Sequence, residues 1–251
     1  MASVTRPYKS ELKPKTQVAH GFDWFDGLTW AMLVAFLLTF LFVAIAPTDE
    51  TLKYSQRIFY FHLPANIMCF AAFFAYFVGG IGYWRTRQRK WDILMVSGLE
   101  VGIFFAAIGI GTGSIWARYA WNTFWTWDPR LTTVTIMLVV YLAGLMLRNA
   151  TEDPARKAAL SAAFGIIGFI DVPIVFFSTR WFPRGLHPVI FLNGNNGNTN
   201  TLGLEGFMVV TLITGMVAMA LLFVWLLVQR MRLEKMRDDV AALAYSMQEE
   251  N

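Results

Sequence analysis

The chain has 251 residues, 56% of them hydrophobic, 16% aromatic and only 15% charged, with a mean hydropathy of +0.47. Soluble domains of this size are nearer half apolar and a quarter charged, so the composition excludes an ordinary water-soluble fold and points to an integral membrane protein. The single cysteine, Cys69, excludes an intramolecular disulfide and a cysteine-based metal cluster. The net charge of +4 informs only through where the Lys and Arg fall.

Residues 1–27 are polar and basic, with Arg6, Lys9, Lys13 and Lys15 among Pro7 and Pro14. Without an apolar core or a small-residue cleavage site they do not read as a secretory signal, and His20 reads as a solvated tail residue. Phe22, Trp24 and Phe25 form an interfacial aromatic group just before the first span. Six apolar runs of bilayer length follow: Leu28–Ala46, Ile58–Trp84, Ile93–Ile115, Leu131–Leu147, Ala158–Ser178 and Leu204–Val228. The expected fold is therefore all-α: a polytopic bundle of six transmembrane helices. Glu100, Asp171 with Pro173, and Glu205 interrupt the third, fifth and sixth runs, and an acid inside a span is costly enough to call for a partner or a function. Gln229–Asn251 places Leu233, Met236, Val240 and Leu243 at helical spacing among charges, as expected of a helical extension beyond the last span.

Loop charge orients the bundle. One side collects the basic residues of the N-terminal segment, Arg85, Arg87, Arg89, Lys90, Arg148, Arg156, Lys157, Arg230, Arg232, Lys235 and Arg237. The other carries only Lys53, Arg57, Arg118, Arg130, Arg180 and Arg184. By the positive-inside rule both termini are expected in the cytoplasm, making 1–27 and 229–251 cytoplasmic tails around a 28–228 membrane domain. The Asn149-Ala-Thr151 sequon then lies on the cytoplasmic side and is discarded.

The externally placed loop at 116–130 is the most unusual stretch. Four of the ten tryptophans, Trp116, Trp121, Trp125 and Trp127, fall between Ser114 and Thr132, and the segment closes on Asp128-Pro129-Arg130, which reads as a helix stop. If helical, Trp121 and Trp125 share a face. Two of the three histidines, His62 and His187, lie on the same side, each beside a proline (Pro64, Pro188). Carboxylates are sparse there and cysteine is absent, so a zinc site lacks its third and fourth ligands. Two neutral imidazoles can instead fill both axial positions of haem iron. An apolar porphyrin plate would stack on tryptophan faces, and Arg118, Arg130, Arg180 or Arg184 would meet its carboxylates. The bland alternative is an aromatic belt with snorkelling arginines and interfacial histidines. It accounts poorly for four Trp in twelve residues.

The segment Trp121-Asn-Thr-Phe-Trp125-Thr-Trp127-Asp128-Pro-Arg130-Leu131-Thr132 resembles the tryptophan-rich WWD signature of the haem-handling proteins of cytochrome c maturation. Arg57-Ile-Phe-Tyr-Phe-His62-Leu-Pro64-Ala65 and Asp171-Val-Pro-Ile-Val-Phe-Phe-Ser-Thr-Arg-Trp181 leading to His187 resemble the same group. With six spans and one histidine on each side of the signature, the chain is most similar to the CcmC family, the CcmF and CcsA/ResC relatives having more spans and histidines. The resemblance covers Arg57 to His187. It implies a bacterial inner-membrane protein that holds haem b at the external, periplasmic face, with His62 and His187 as axial ligands and Trp121, Trp125, Trp127 and Asp128 as platform. It also implies work with the ABC transporter CcmA/CcmB and with CcmD, and attachment of haem to the chaperone CcmE. Asn122 departs from the family pattern, standing where the signature has Gly. No nucleophile or acid–base pair is evident, so any help with covalent attachment would come from positioning haem and acceptor. Two other classes stay open: a b-type haem electron carrier, and a transporter subunit whose Trp loop is only interfacial. The first expects ligands deep in the bilayer, and the second expects broken helices at the midplane of several spans.

Overall fold

The computed structural model describes residues 23–50, 52–182, 186–187 and 206–249. Seven helices follow one another: α1 (Trp24–Ile45), α2 (Gln56–Thr86), α3 (Arg89–Trp121), α4 (Pro129–Ala150), α5 (Pro154–Gly168), α6 (Asp171–Trp181) and α7 (Phe207–Glu249). The α5–α6 pair, Pro154–Trp181, makes one span, which leaves six segments long and apolar enough to cross a membrane.

Local chemistry sets the ends. Asp23 and Asp26 form a capping box at the start of α1, and Asp153 accepts the Arg156 N–H before Pro154. Arg87, in the left-handed region at φ 57°, closes α2 and turns the chain directly into α3. The fifth span breaks at Phe169–Ile170, ahead of Pro173, which sits in the first turn of α6 where a missing N–H costs little. This is the one interruption of a span among the described residues.

Lipid tails are as apolar as leucine, so close packing and polar contacts must hold such a bundle together. The α2–α3 hairpin shows both. A Cβ at Gly98 would lie 2.8 Å from the Tyr76 nitrogen and 2.9 Å from the Ala72 oxygen, so the two backbones nearly touch. Phe73 stacks on Tyr141 of α4 at 3.6 Å, and the Tyr76 hydroxyl donates to the Ser161 carbonyl of α5 at 2.7 Å. Cys69 is buried, with its thiol 3.6 Å from the Gly102 carbonyl.

The end of the bundle where α3 begins is tied by ions. Arg148 of α4 donates to both oxygens of Asp92, at 2.6 and 3.0 Å, with both side chains buried. Arg89 bonds Asp92 and reaches Glu234 and Asp238 of α7 at 3.1 and 2.9 Å. Arg230 binds Glu100 at 2.7 Å and Glu234 at 2.7 Å, so the acid inside the third span has its partner on α7. Asp171 differs: among the described residues it makes no ion pair, and its buried Oδ2 has no hydrogen-bond partner.

Candidate functional site

At the opposite end, α2 starts, α3 finishes, α4 starts and the chain emerges from α6. His62 lies in the second turn of α2, its ring set against α3 by a pair of glycines. A Cβ at Gly113 would fall 2.8 Å from His62 Cε1, and one at Gly109 would fall 2.6 Å from Asn66 Oδ1. Residues four apart share a face, so His62 and Asn66 on α2 meet Gly109 and Gly113 on α3 as one complementary surface. Thr112 fixes the imidazole. Its hydroxyl donates to the Ile108 carbonyl at 2.7 Å, so its oxygen accepts from His62 Nδ1–H at 3.1 Å. That leaves the lone pair on Nε2, where the Asn66 amide meets it. Asn66 Nδ2 donates to the His62 carbonyl at 2.8 Å and stands 3.2 Å from Nε2.

The tryptophan segment folds differently from its helical reading. α3 continues through Trp116 to Trp121 and ends at Asn122, whose φ of 56° puts it in the left-handed region. Asparagine tolerates that conformation better than most side chains, which is how it serves where the signature this segment resembles usually has glycine. Trp125 therefore lies in an irregular loop and does not share a helix face with Trp121. Asp128-Pro129-Arg130 starts a helix instead of stopping one. The Asp128 carboxylate accepts the Leu131 N–H at 2.9 Å as the N-cap of α4, and Pro129 takes the first position, where no N–H is needed.

That cap does a second job. Asp128 Oδ2 accepts Nδ1–H of His187 at 2.9 Å, while the Thr126 hydroxyl donates to the same oxygen at 3.3 Å. Burial alone would raise the Asp128 pKa. The Leu131 N–H, then His187 and Thr126, outweigh it and hold the carboxyl below its ordinary value. His187 is shifted down from 6.5, because burial disfavours the imidazolium by more than Asp128 favours it. A neutral imidazole with Nδ1–H on an ionised carboxylate carries its lone pair on Nε2, the arrangement by which a second shell orients a metal-binding histidine.

One cavity has both histidines in its wall, and its volume of about 50 Å³ is well below the roughly 300–1,000 Å³ of small-molecule sites, so a large ligand would enter only as the walls part. Its other walls are mostly apolar, Phe70, Val134, Met137 and Val175 among them, with Phe124 and Trp125 from the loop. Arg130 enters from the first turn of α4, and among the described residues its guanidinium has no ion pair. Trp116 is buried behind the site, 5.8 Å from the His62 ring, with no hydrogen-bond partner for its indole N–H among the described residues. Trp121 meets the His187 ring edge-on at 4.9 Å.

The remaining candidates lie apart from the cavity. Trp127 packs edge-on against Trp125 at 5.8 Å and is largely exposed. Arg118 is exposed and spends its guanidinium closing α3, donating to the Asn122 carbonyl at 2.8 Å and lying over the Phe124 ring. Arg180 is exposed. Arg184 and His20 lie outside the described residues. Two histidines, a mostly apolar lining and an arginine without an ion pair among the described residues match the chemistry of an iron porphyrin bearing carboxylates.

A sequence model of the family described as heme exporter protein C matches residues 12–246. The chain belongs to the CcmC family. The heme exporter protein C of Bradyrhizobium diazoefficiens is 30% identical over 200 residues, covering 80% of this chain and 74% of its own length. That of Haemophilus influenzae is 28% identical over 212 residues, covering 82% and 83%. A ccmC-like mitochondrial protein of cytochrome c biosynthesis from Marchantia polymorpha is 31% identical over 166 residues, covering 66% and 67%. In this CcmC-family chain, sequence reasoning had not singled out Asn66, Thr112, Gly109 or Gly113. The signal was present: a histidine and an asparagine four apart on one helix, and the small-residue run Gly109-Ile-Gly-Thr-Gly113 on another.

Proposed function

We propose that this protein binds haem b between His62 and His187 at the external face of a bacterial inner membrane and presents it for covalent attachment to the chaperone CcmE. The observation that carries the reading is the pair of imidazoles lining one cavity, each with Nδ1 tied to a protein acceptor and its lone pair on Nε2, which for His62 a metal would take over from the Asn66 amide. Bound haem would supply the iron that accepts those two nitrogens and the porphyrin edge at which the acceptor is joined. The chain's own residues do the holding. Asp128 fixes the tautomer of His187, Thr112 that of His62, and Trp116 and Trp121 pack on the two rings. Phe124 and Trp125 would face the apolar plate, and Arg130 would pair with a propionate. Trp127, exposed at the tip of the loop, would meet the incoming acceptor.

The described site contains no nucleophile activated by a base. Its contribution to attachment is positional: fixing two reactants in one geometry removes translational and rotational entropy from the barrier. The names of the relatives support membership of a haem export system, and the proposed partners are the CcmA/CcmB transporter and CcmD. Loop charge supports cytoplasmic termini.

The test is the absorption spectrum of the purified full-length protein, expressed with its partner subunits and compared with His62→Ala and His187→Ala. A bis-imidazole spectrum lost in both variants is expected. Absence of haem from the parent, or haem indifferent to both substitutions, would refute the reading. Arg130→Ala should weaken haem binding, whereas Arg118→Ala should leave it unchanged.

A further inference from the structure

The ion-tied end of the bundle, where the α2–α3 and α4–α5 turns lie, encloses a second cavity. Its volume of about 470 Å³ falls within the roughly 300–1,000 Å³ of small-molecule sites. Four carboxylates face it, and each is already engaged by an arginine of the same wall. Asp92 is held by Arg148 and Arg89, and Asp238 by Arg89. Glu100 is held by Arg230, and Glu234 by Arg89, Arg230 and Arg237. Those four arginines balance the four acids, and two cations of the wall are left over, Arg87 and Lys157.

Neither has a carboxylate partner among the described residues. Arg87 is the left-handed residue that closes α2, and its guanidinium rests 5.5 Å from the centre of the Tyr83 ring and 5.8 Å from that of Trp84. The Lys157 side chain, in the first turn of α5, makes no hydrogen bond or ion pair with a described residue. Two uncompensated charges in a concave, low-dielectric wall attract an anion.

The same two helices carry an apolar groove beside this cavity. Ile81 and Trp84 of α2 and Ala163, Ile166 and Ile167 of α5 line it, with a volume of about 360 Å³. Trp84 and Ile167 are exposed, so in a membrane the groove opens to lipid. Arg87 joins the two features, because Tyr83 belongs to the charged wall and Trp84 to the groove.

We infer that this end of the bundle binds one anionic phospholipid, its phosphate on Arg87 and Lys157 and an acyl chain along the α2–α5 groove. Arginine offers a phosphate two parallel N–H donors, and lysine a compact charge. Turns between spans lie at headgroup depth, where basic pockets suit anionic lipids. A zwitterionic lipid would bring an ammonium group that meets no spare carboxylate in the wall. A soluble phosphate would satisfy the cations and leave the groove unused. The lipid would clamp α2, the helix that carries His62, to α5 where their own polar contact is long: the Tyr83 hydroxyl donates to the Ala155 carbonyl at 3.4 Å. The inference needs only that the chain spans a membrane, and it is independent of the haem reading.

The test counts lipids on the purified full-length protein by native mass spectrometry, titrated in detergent with phosphatidylglycerol, phosphatidylcholine or inorganic phosphate. One phosphatidylglycerol held about tenfold or more tighter than phosphatidylcholine is expected. A basic residue near an anionic headgroup is worth about fivefold in affinity, so Arg87→Ala with Lys157→Ala should weaken that lipid about twentyfold. Lys90→Ala with Arg156→Ala removes the same charge from the same end, touches neither wall, and should change little. Ala163→Phe fills the groove and should displace the lipid with both cations in place. Melting curves without lipid check that each variant is folded. Equal affinity for the two lipids, or equal losses in the two double variants, would overturn the assignment. So would phosphatidylglycerol binding that ignores Ala163→Phe or is displaced by inorganic phosphate, either of which marks a soluble phosphate as the ligand. Haem is read separately by absorbance, so a parent lacking haem would sink the functional proposal without touching this one.

Discussion

Replacing Asp128 by asparagine separates the two jobs of that side chain. One oxygen caps α4 through Leu131 N–H at 2.9 Å, and the other accepts Nδ1–H of His187 at 2.9 Å. Asparagine has one acceptor for two donors. If it keeps the cap, its amide N–H groups face His187 Nδ1–H, donor against donor, and the imidazole relieves the conflict by moving its proton to Nε2. That removes the lone pair a metal would need. A hydrogen bond to a charged group is worth about 1.5–3 kcal/mol, and losing such an outer partner typically costs about 10–100-fold in metal affinity, which is about 1.4–2.8 kcal/mol. A haem titration followed by absorbance should show Asp128→Asn weaker by one to two orders of magnitude. Thermal unfolding should barely move, because asparagine caps helices about as well as aspartate. Asp128→Ala should show the same loss of affinity plus about 1 kcal/mol of destabilisation from the missing cap. Parental affinity and an unchanged bis-imidazole spectrum in Asp128→Asn would refute the assignment of His187 and its orientation by Asp128.

Gly113→Ala should displace the His62 ring, whose Cε1 lies 2.8 Å from the new methyl, and abolish the axial spectrum in a folded protein. Gly111→Ala meets nothing within 4 Å and should leave haem binding intact while gaining up to about 1 kcal/mol of helix stability, a contrast read by spectrum and melting together. Asp92→Asn breaks the buried pair with Arg148 and should destabilise the fold by about 3–5 kcal/mol in detergent unfolding. Asp92→Leu combined with Arg148→Met should restore much of that loss. His187 sets a pH dependence for the haem-free protein. Its folded pKa lies below 6.5, so the unfolded chain binds the proton first, and the stability present above 6.5 is lost as pH falls through and below that value. His187→Gln should flatten this part of the acid limb of a stability-versus-pH curve, and an unaltered limb would contradict the buried neutral imidazole.

Hydropathy was enough for the six spans, because a bilayer demands a minimum run of apolar residues and each run in this sequence meets it. The type of side chain was enough for the candidate ligands, since few residues bind iron and only three histidines are present. Helix ends were less legible. Asp128-Pro129 read as a stop because proline breaks a helix from within, yet the same residue is favoured at a helix start, and which applies depends on the chain direction of the cap. Trp121 and Trp125 read as one face because spacing carries no information about a left-handed residue between them. Local sequence likewise could not show that Arg118 would be consumed by its own helix end while Arg130 entered the cavity. Nor could it pair Glu100 with Arg230, His187 with Asp128 or His62 with Thr112, partners separated by 130, 59 and 50 residues. Composition and periodicity determine what each segment can become. Only the packed bundle, where distant side chains compete for the same donors and space, decides which of them face one another.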